Sequence, residues 1–240
     1  MKKIILLTLI ILFGFSFAFA TEEEENKIPK IVLLLNDHDY EITRAAIEVA
    51  LADLKINYDV YKTYEGEFPE LNDYDGIIVS GGAYTDAYLT RNDEPIVGSR
   101  YILETEVPVL GICMGSQIIA KLYGEDIEYN PVHEWVWAIK GEIDDPILEN
   151  VPKRMDVWEN HDYSITALPE DFVNLIWGER DNSLKLIRHK EKPIYGIVFH
   201  PAITLNYRET SAIQILINFV KMCNNDSENY PDFVSDYKIF

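Results

Sequence analysis

Residues 107–123 are VPVLGICMGSQIIAKLY, an apolar run followed by a segment with helical spacing. The apolar run from Val107 to Ile112 predicts a short buried strand. The segment from Gly115 to Tyr123 predicts a helix, which Gly124 can end in left-handed geometry. Cys113 therefore stands at the pivot of a strand-turn-helix unit. Strands followed by helices are the units from which parallel sheets are built.

The same alternation continues toward the N-terminus. Ile28 to Leu35 is a nearly continuous apolar run, typical of a strand buried on both faces. Glu41 to Leu54 repeats apolar residues at helical spacing, and further strands are predicted at Tyr58 to Tyr64 and at Gly76 to Ser80. This order predicts an α/β fold with a doubly wound, mostly parallel sheet of the flavodoxin-like type.

The C-terminal half has a different pattern. Between Ile127 and Ile197 the residues alternate in Glu134–Ala138 and in Leu184–Ile187, which predicts a β-rich, antiparallel insertion. Helices are predicted on either side, at Ile96–Thr105 and at Thr210–Met222.

Composition limits the function classes. The 240 residues are 48% apolar, which fits one compact domain, predicted here over residues 28–223. The net charge of −20 and the lack of a dense Lys/Arg stripe exclude a nucleic-acid backbone as partner. No Cys/His grouping has zinc spacing and no glycine-rich nucleotide loop is present, so we expect no metal and no cofactor.

The N-terminus predicts export. Lys2 and Lys3 precede an uncharged apolar run from Ile4 to Ala20, the layout of a secretory signal peptide. The run also approaches the length of a membrane anchor, and this alternative stays open. In either case we expect the folded part outside the cytoplasm. Residues 21–27 form an acidic spacer, and residues 224–240 an acidic, aromatic tail.

Cys113 has the surroundings of a nucleophile. Gly111 and Gly115 frame it at two residues on each side, as a strained elbow between strand and helix requires. The helix N-terminus favours a thiolate and can stabilise an oxyanion. Only one other cysteine, Cys223, is present, and because a nucleophile must stay reduced we predict two free thiols.

The heptapeptide GICMGSQ at residues 111–117 resembles the nucleophile motif of the class I glutamine amidotransferase-like superfamily. Two further segments carry the resemblance: IIVSGGA at residues 77–83 and YGIVFHP at residues 195–201. The resemblance implies that Cys113 is the nucleophile and His200 its base. It also implies that the backbone N–H groups of Gly82 and Met114 form the oxyanion hole.

A fourth segment, NHDYS at residues 160–164, is similar to the family's substrate-facing loop. The resemblance implies that Asp162, Tyr163 and Gln117 hold the α-amino and α-carboxylate ends of a glutamine-like substrate. His161 has two open interpretations: a residue of this site, or a loop residue fixed by local hydrogen bonds.

The sequence departs from the family at one catalytic position. The family has a glutamate two residues after the histidine, and this chain has Ala202. Thr204, Asn206 and Glu209 are candidate substitutes. Because a cysteine depends less than a serine on the third group, a Cys–His dyad is a workable alternative.

Within these 240 residues we expect no fused synthetase domain, and predicted export disfavours an ATP-driven partner. We therefore expect a stand-alone hydrolase of a glutamine or γ-glutamyl amide that works through a thioester, as in the family's γ-glutamyl hydrolase branch. The alternatives are a binding domain without turnover, because of Ala202, and a membrane-anchored glutaminase. The related intracellular-peptidase family has a histidine directly after its cysteine. This chain has Met114 there, which disfavours that family. The oligomeric state is left open.

Overall fold

The computed structural model describes residues 28–36, 41–70, 73–82, 100–202 and 211–224. The predicted signal peptide or anchor, the acidic spacer and all of the tail after Asn224 lie outside these residues. So do the three candidate substitutes for the missing acid, Thr204, Asn206 and Glu209. No helix in the described ranges is long and apolar enough to cross a bilayer.

The described chain alternates strands and helices before it becomes largely β. Its strands are β1 (Lys30–Leu35), β2 (Asn57–Lys62), β3 (Gly76–Val79), β4 (Val109–Ile112), β5 (Ile127–Lys140), β6 (Arg154–Ile165), β7 (Phe172–Gly178), β8 (Leu184–His189) and β9 (Ile194–Ile197). Its α-helices are α1 (Glu41–Asp53), α2 (Arg100–Glu104), α3 (Met114–Leu122) and α4 (Ile213–Cys223).

All of these strands join one sheet, in the order β2-β1-β3-β4-β9-β8-β7-β5-β6. The pairs from β2 to β9 are parallel, and the pairs from β9 to β6 are antiparallel. The predicted α/β fold and its antiparallel insertion are both confirmed.

Helices cover both faces of the parallel half. In β1, Ile31 and Leu33 pack with apolar residues of α1 and α4. Val32 and Leu34 point the other way and pack with residues of α2 and α3. Burying such a side chain contributes about 1.5–3 kcal/mol, which accounts for the near absence of polar residues in β1.

Three neighbouring parallel strands place the site. The strands β3, β4 and β9 lie side by side, with Gly111 of β4 opposite Gly196 of β9. Because they run in one direction, the residues that follow them meet at the same edge of the sheet. These residues are Gly81 and Gly82 after β3, Cys113 after β4, and His200 after β9.

One predicted loop is wrong. Residues 160–164 belong to β6, where Val132 pairs with His161 and Tyr129 with Tyr163 across a bulge in β5. The resemblance to the family implies a loop for this segment. Pairing with β5 makes it a strand instead, and the Tyr129 and Tyr163 rings pack edge to face at 5.7 Å.

Candidate functional site

The backbone at Cys113 is strained. Its φ of 53° and ψ of −111° lie in a region that residues with a side chain rarely occupy, at a cost of about 1–3 kcal/mol. The Cys113 N–H donates to the Ile197 carbonyl at 2.7 Å, and the Ser116 hydroxyl donates to the Cys113 carbonyl at 2.7 Å. These bonds hold the elbow between β4 and α3 in this conformation.

The two glycines that frame the elbow are needed for close packing. A Cβ added to Gly115 would fall against the Val79 carbonyl, well inside the 3.0 Å that real Cβ atoms keep. A Cβ on Gly111 would meet the carbonyl of Gly115 itself. The predicted need for glycine on both sides of Cys113 is confirmed.

We expect Gly115→Ala to destabilise the protein by about 3 kcal/mol or more, because rigid backbone surrounds the added methyl group. Gly66→Ala is the matched control. Gly66 has a φ of +84° but open space around it, so the cost there is about 1–2 kcal/mol. Urea unfolding of both variants measures the difference, and equal losses would contradict the packing described here.

Cys113 and His200 lie at one point of the sheet edge. A Cβ added to Gly81 would stand 3.2 Å from the Cys113 Cβ and 3.5 Å from the His200 Cε1, so both side chains flank this glycine. The Cys113 thiol does not donate to the imidazole. The Cys113 sulfur contacts the Asn160 carbonyl at 3.7 Å. The backbone N–H of His200 donates to the Trp158 carbonyl at 2.9 Å.

Burial decides the charge state of this pair. It raises the pKa of the Cys113 thiol to about 12, although the Met114 N–H acts in the opposite direction. Burial also lowers the pKa of His200 to about 4. The sequence predicts that the helix N-terminus favours a thiolate, and the Met114 N–H does lower the pKa of the thiol; in the resting pair, desolvation outweighs this effect. The dyad is a neutral thiol beside a neutral imidazole.

We expect kcat/KM for amide hydrolysis to stay nearly constant from about pH 5.5 to about pH 8.5. A base with the ordinary imidazole pKa would lose activity below about pH 6.5. Because the pKa of His200 is lowered, the imidazole stays neutral there, and activity falls only as the pH approaches 4. Initial rates in buffers of constant ionic strength measure this. A tenfold fall between pH 7 and pH 5.5 would contradict it.

The remaining predicted site residues divide into two groups. Gln117 is buried, and its Nε2 donates to the Tyr163 carbonyl at 2.7 Å, so the structure brings these two together beside Cys113. The Gln117 Oε1 is buried without a hydrogen-bond partner among the described residues. Met114 begins α3, and its N–H faces the sulfur.

Asp162 and Gly82 make fewer contacts at the site. The Asp162 side chain is about half exposed and accepts from His133 Nε2 at 2.9 Å, so only its backbone and its charge bear on the site. Gly82 is half-buried and follows β3 at the same edge.

Sequence reasoning missed a buried charged cluster beside the dyad. Glu159 is fully buried, and its carboxylate lies 2.6 Å from Lys185 Nζ and 3.1 Å from His161 Nε2. This contact favours the second interpretation of His161, a residue fixed by local hydrogen bonds. The alternation of β6 was the available signal, since Glu159 and His161 continue the inward positions of Met155 and Val157.

The missing acid leaves His200 without an orienting group at the expected place. Ala202 is half-buried and offers no acceptor. Neither ring nitrogen of His200 has a hydrogen-bond partner of good geometry within the described ranges, but the Asn160 carbonyl lies close enough to raise the pKa of His200.

Comparisons with known proteins agree with this geometry. The family model described as "Glutamine amidotransferase class-I" matches residues 36–221 of this chain. A glutamine-hydrolyzing GMP synthase subunit of Methanococcus aeolicus is 34% identical over 198 residues, which cover 80% of this chain and 97% of that protein. The GMP synthase of Thermosipho africanus is 38% identical over 163 residues, but the chain spans only 30% of its length.

A solved structure shows the same fold. The crystal structure of a glutamine amidotransferase from Thermotoga maritima has a TM-score of 0.60 at 18% identity, and the match covers 87% of this chain and 95% of that one. With a family match over most of its length, this chain belongs to the class I glutamine amidotransferases.

Proposed function

We propose that the chain hydrolyses the side-chain amide of glutamine or of a γ-glutamyl amide, with Cys113 as nucleophile and His200 as base. One observation carries the proposal. A cysteine on a strained elbow, a buried imidazole and an amide oxygen of Gln117 that has no partner among the described residues converge at the carboxyl edge of three parallel strands. Strain and unpaired buried polar atoms are costly, and they are kept where chemistry uses them.

The reaction begins from the neutral pair. His200 removes the Cys113 proton while sulfur attacks the amide carbon, and the carbonyl oxygen takes the negative charge. The N–H groups of Met114 and Gly82 stabilise that oxyanion. Collapse of the intermediate breaks the C–N bond, and the proton on His200 leaves with the amine. Water then attacks the thioester, His200 takes its proton, and glutamate and the thiol are released.

Gln117 supplies the specificity for a glutamyl group. Its Nε2 is fixed on the Tyr163 carbonyl, which leaves its Oε1 to accept from the α-ammonium group of a substrate. The Asp162 carboxylate adds negative charge near the same place, since it raises the pKa of Cys113. A substrate without an α-amino group leaves the Gln117 oxygen unpaired, which costs about 1–3 kcal/mol.

The relatives indicate glutamine as the first substrate to test, because their names describe glutamine-hydrolyzing proteins. A stand-alone hydrolase releases the amine to solvent and needs no partner, whereas the relatives are named as subunits of a glutamine-hydrolyzing GMP synthase. Turnover of glutamine, γ-glutamyl anilide and γ-glutamyl dipeptides, measured with the chain alone, distinguishes a stand-alone hydrolase from a subunit. The proposal expects turnover without any added protein or ATP. Turnover that requires a synthetase subunit would contradict the stand-alone form.

A second candidate function follows from Ala202 and from the ring of His200, whose nitrogens have no hydrogen-bond partner among the residues that the structure describes. A domain that binds a glutamyl ligand without turnover would keep Gln117 and Tyr163 and lack an oriented base. Calorimetry separates the two functions. Stoichiometric glutamine binding with no glutamate formed over hours favours the binding domain.

The proposal includes export, on the basis of the N-terminal residues alone. Cleavage after Ala20 would give a mature N-terminus at Thr21 in the extracytoplasmic fraction. Full-length protein in the membrane fraction would instead support the anchor, and full-length protein in the cytoplasm would contradict export.

A further inference from the structure

A buried ionic cluster is built on the segment of β6 that contacts the proposed dyad. Glu159 of β6 is fully buried, Lys185 of β8 and His161 are each about 5% exposed in their side chains, and the three are linked through the two carboxylate oxygens. Placing such charges in a core is costly, and apolar residues of similar size often serve stability as well or better. Met155 and Val157 occupy the preceding inward positions of the same strand. Packing alone therefore gives no reason for a carboxylate at position 159.

The position of Glu159 along β6 gives a functional reason for a carboxylate there. Its two chain neighbours both contact the dyad: the Trp158 carbonyl accepts from the His200 backbone N–H at 2.9 Å, and the Asn160 carbonyl faces the Cys113 sulfur at 3.7 Å. The same strand segment thus fixes the base, the nucleophile and the carboxylate relative to one another.

The carboxylate is ionised. Burial alone would raise the pKa of Glu159, but the hydrogen bond from His161 and the ion pair with Lys185 outweigh it and hold the pKa below its usual value. The pKa of His200 is lowered most by burial and raised by the Asn160 carbonyl; the side chains that also act on it are His161, which lowers it, and Glu159, which raises it. Glu159 and Asp162 both raise the pKa of Cys113.

We propose that Glu159 is a positioning residue that supplies, from the neighbouring strand, the negative charge that Ala202 cannot supply. It stabilises the imidazolium formed when His200 takes the Cys113 proton. The carboxylate also disfavours a free thiolate before substrate arrives, because its negative charge raises the pKa of Cys113. Lys185 keeps the carboxylate charged and fixed. This inference rests on the proposed hydrolysis for its kinetic consequence, but the coupling between Glu159 and His200 exists without substrate.

The kinetic test uses the pair Glu159→Gln/Lys185→Met, since it removes the carboxylate without leaving a buried ammonium unpaired. We expect kcat for glutamine to fall about tenfold with KM nearly unchanged. Adding Ala202→Glu should restore most of the rate, because it returns a carboxylate to the imidazole. Glu70→Gln, at an exposed position in the segment before β3, is the control and should leave the rate unchanged. A loss that Ala202→Glu does not repair would overturn the proposal.

The substrate-free test is the titration of His200, followed by NMR of the protein with 13C-labelled histidine Cε1 and assigned with His200→Gln. The double variant should lower the pKa of His200 by about one unit, with Glu70→Gln as control. An unchanged His200 titration in a folded double variant would overturn the proposal whatever the rates. A shifted titration in a protein that never hydrolyses an amide would keep the coupling and reject the proposed function instead.

Discussion

The Cys113→Ala variant should lose amide hydrolysis by a factor of at least about 10³, with its fold intact. The thioester needs the sulfur, and among the described residues the nearest hydroxyl along the chain, that of Ser116, is engaged as a donor to the Cys113 carbonyl. The substitution removes one atom and keeps the Cβ that flanks Gly81. Glutamate release, together with thermal unfolding, measures both parts of the expectation.

Cys223 provides the matched control. It is a second buried free thiol, but it packs against Gly76 at the other end of β3 from the site. We expect Cys223→Ala to keep full activity and to lose some stability through the cavity it leaves. Activity that survives Cys113→Ala, or that disappears with Cys223→Ala in a folded protein, would contradict the assignment of the nucleophile.

The His200→Asn variant should lose kcat by a factor of about 10²–10⁴, with KM changed much less. The buried thiol has a pKa of about 12, so without a base almost no thiolate forms at neutral pH. His161 cannot replace His200 as it stands, because its Nε2 is bonded to Glu159. Steady-state kinetics with glutamine at pH 7.5 measure the loss.

His189→Asn is the control for this variant. His189 is also buried, and its Nδ1 accepts from the N–H groups of Glu191 and Lys192, a role that an asparagine oxygen can fill. It lies away from the dyad, between the rings of Tyr123 and Phe172. We expect its activity to stay near that of the unaltered protein. Equal losses in the two variants would show that His200 acts through stability and not as a base.

The sequence was informative wherever local chemistry decides the structure. Buried parallel strands such as β1 are visible as apolar runs, and the two free thiols followed from the need for a reduced nucleophile. The glycines around Cys113 predicted an elbow because close backbone contact leaves no room for a side chain. Gly124 ends the helix at a φ of +87°, as predicted.

The remainder depends on contacts between distant segments. Residues 160–164 resemble a loop until their pairing with β5 is known. The charge state of Cys113 depends on how deeply the fold buries it, and a motif predicts only the favourable helix end. Glu159 is a single polar residue in an alternating strand. Its interactions with Lys185 and His200 are known only once the fold brings these distant segments together.

Labelling with the chloromethyl ketone analogue of glutamine tests the site most directly, because it requires recognition of the glutamyl group and a nucleophilic sulfur together. Mass spectrometry of the digested protein should find one adduct, on Cys113, and excess glutamine should prevent it. The His200→Asn variant should react much more slowly. An unmodified Cys113, or an adduct that glutamine does not prevent, would contradict a glutamine-hydrolysing site at this edge of the sheet.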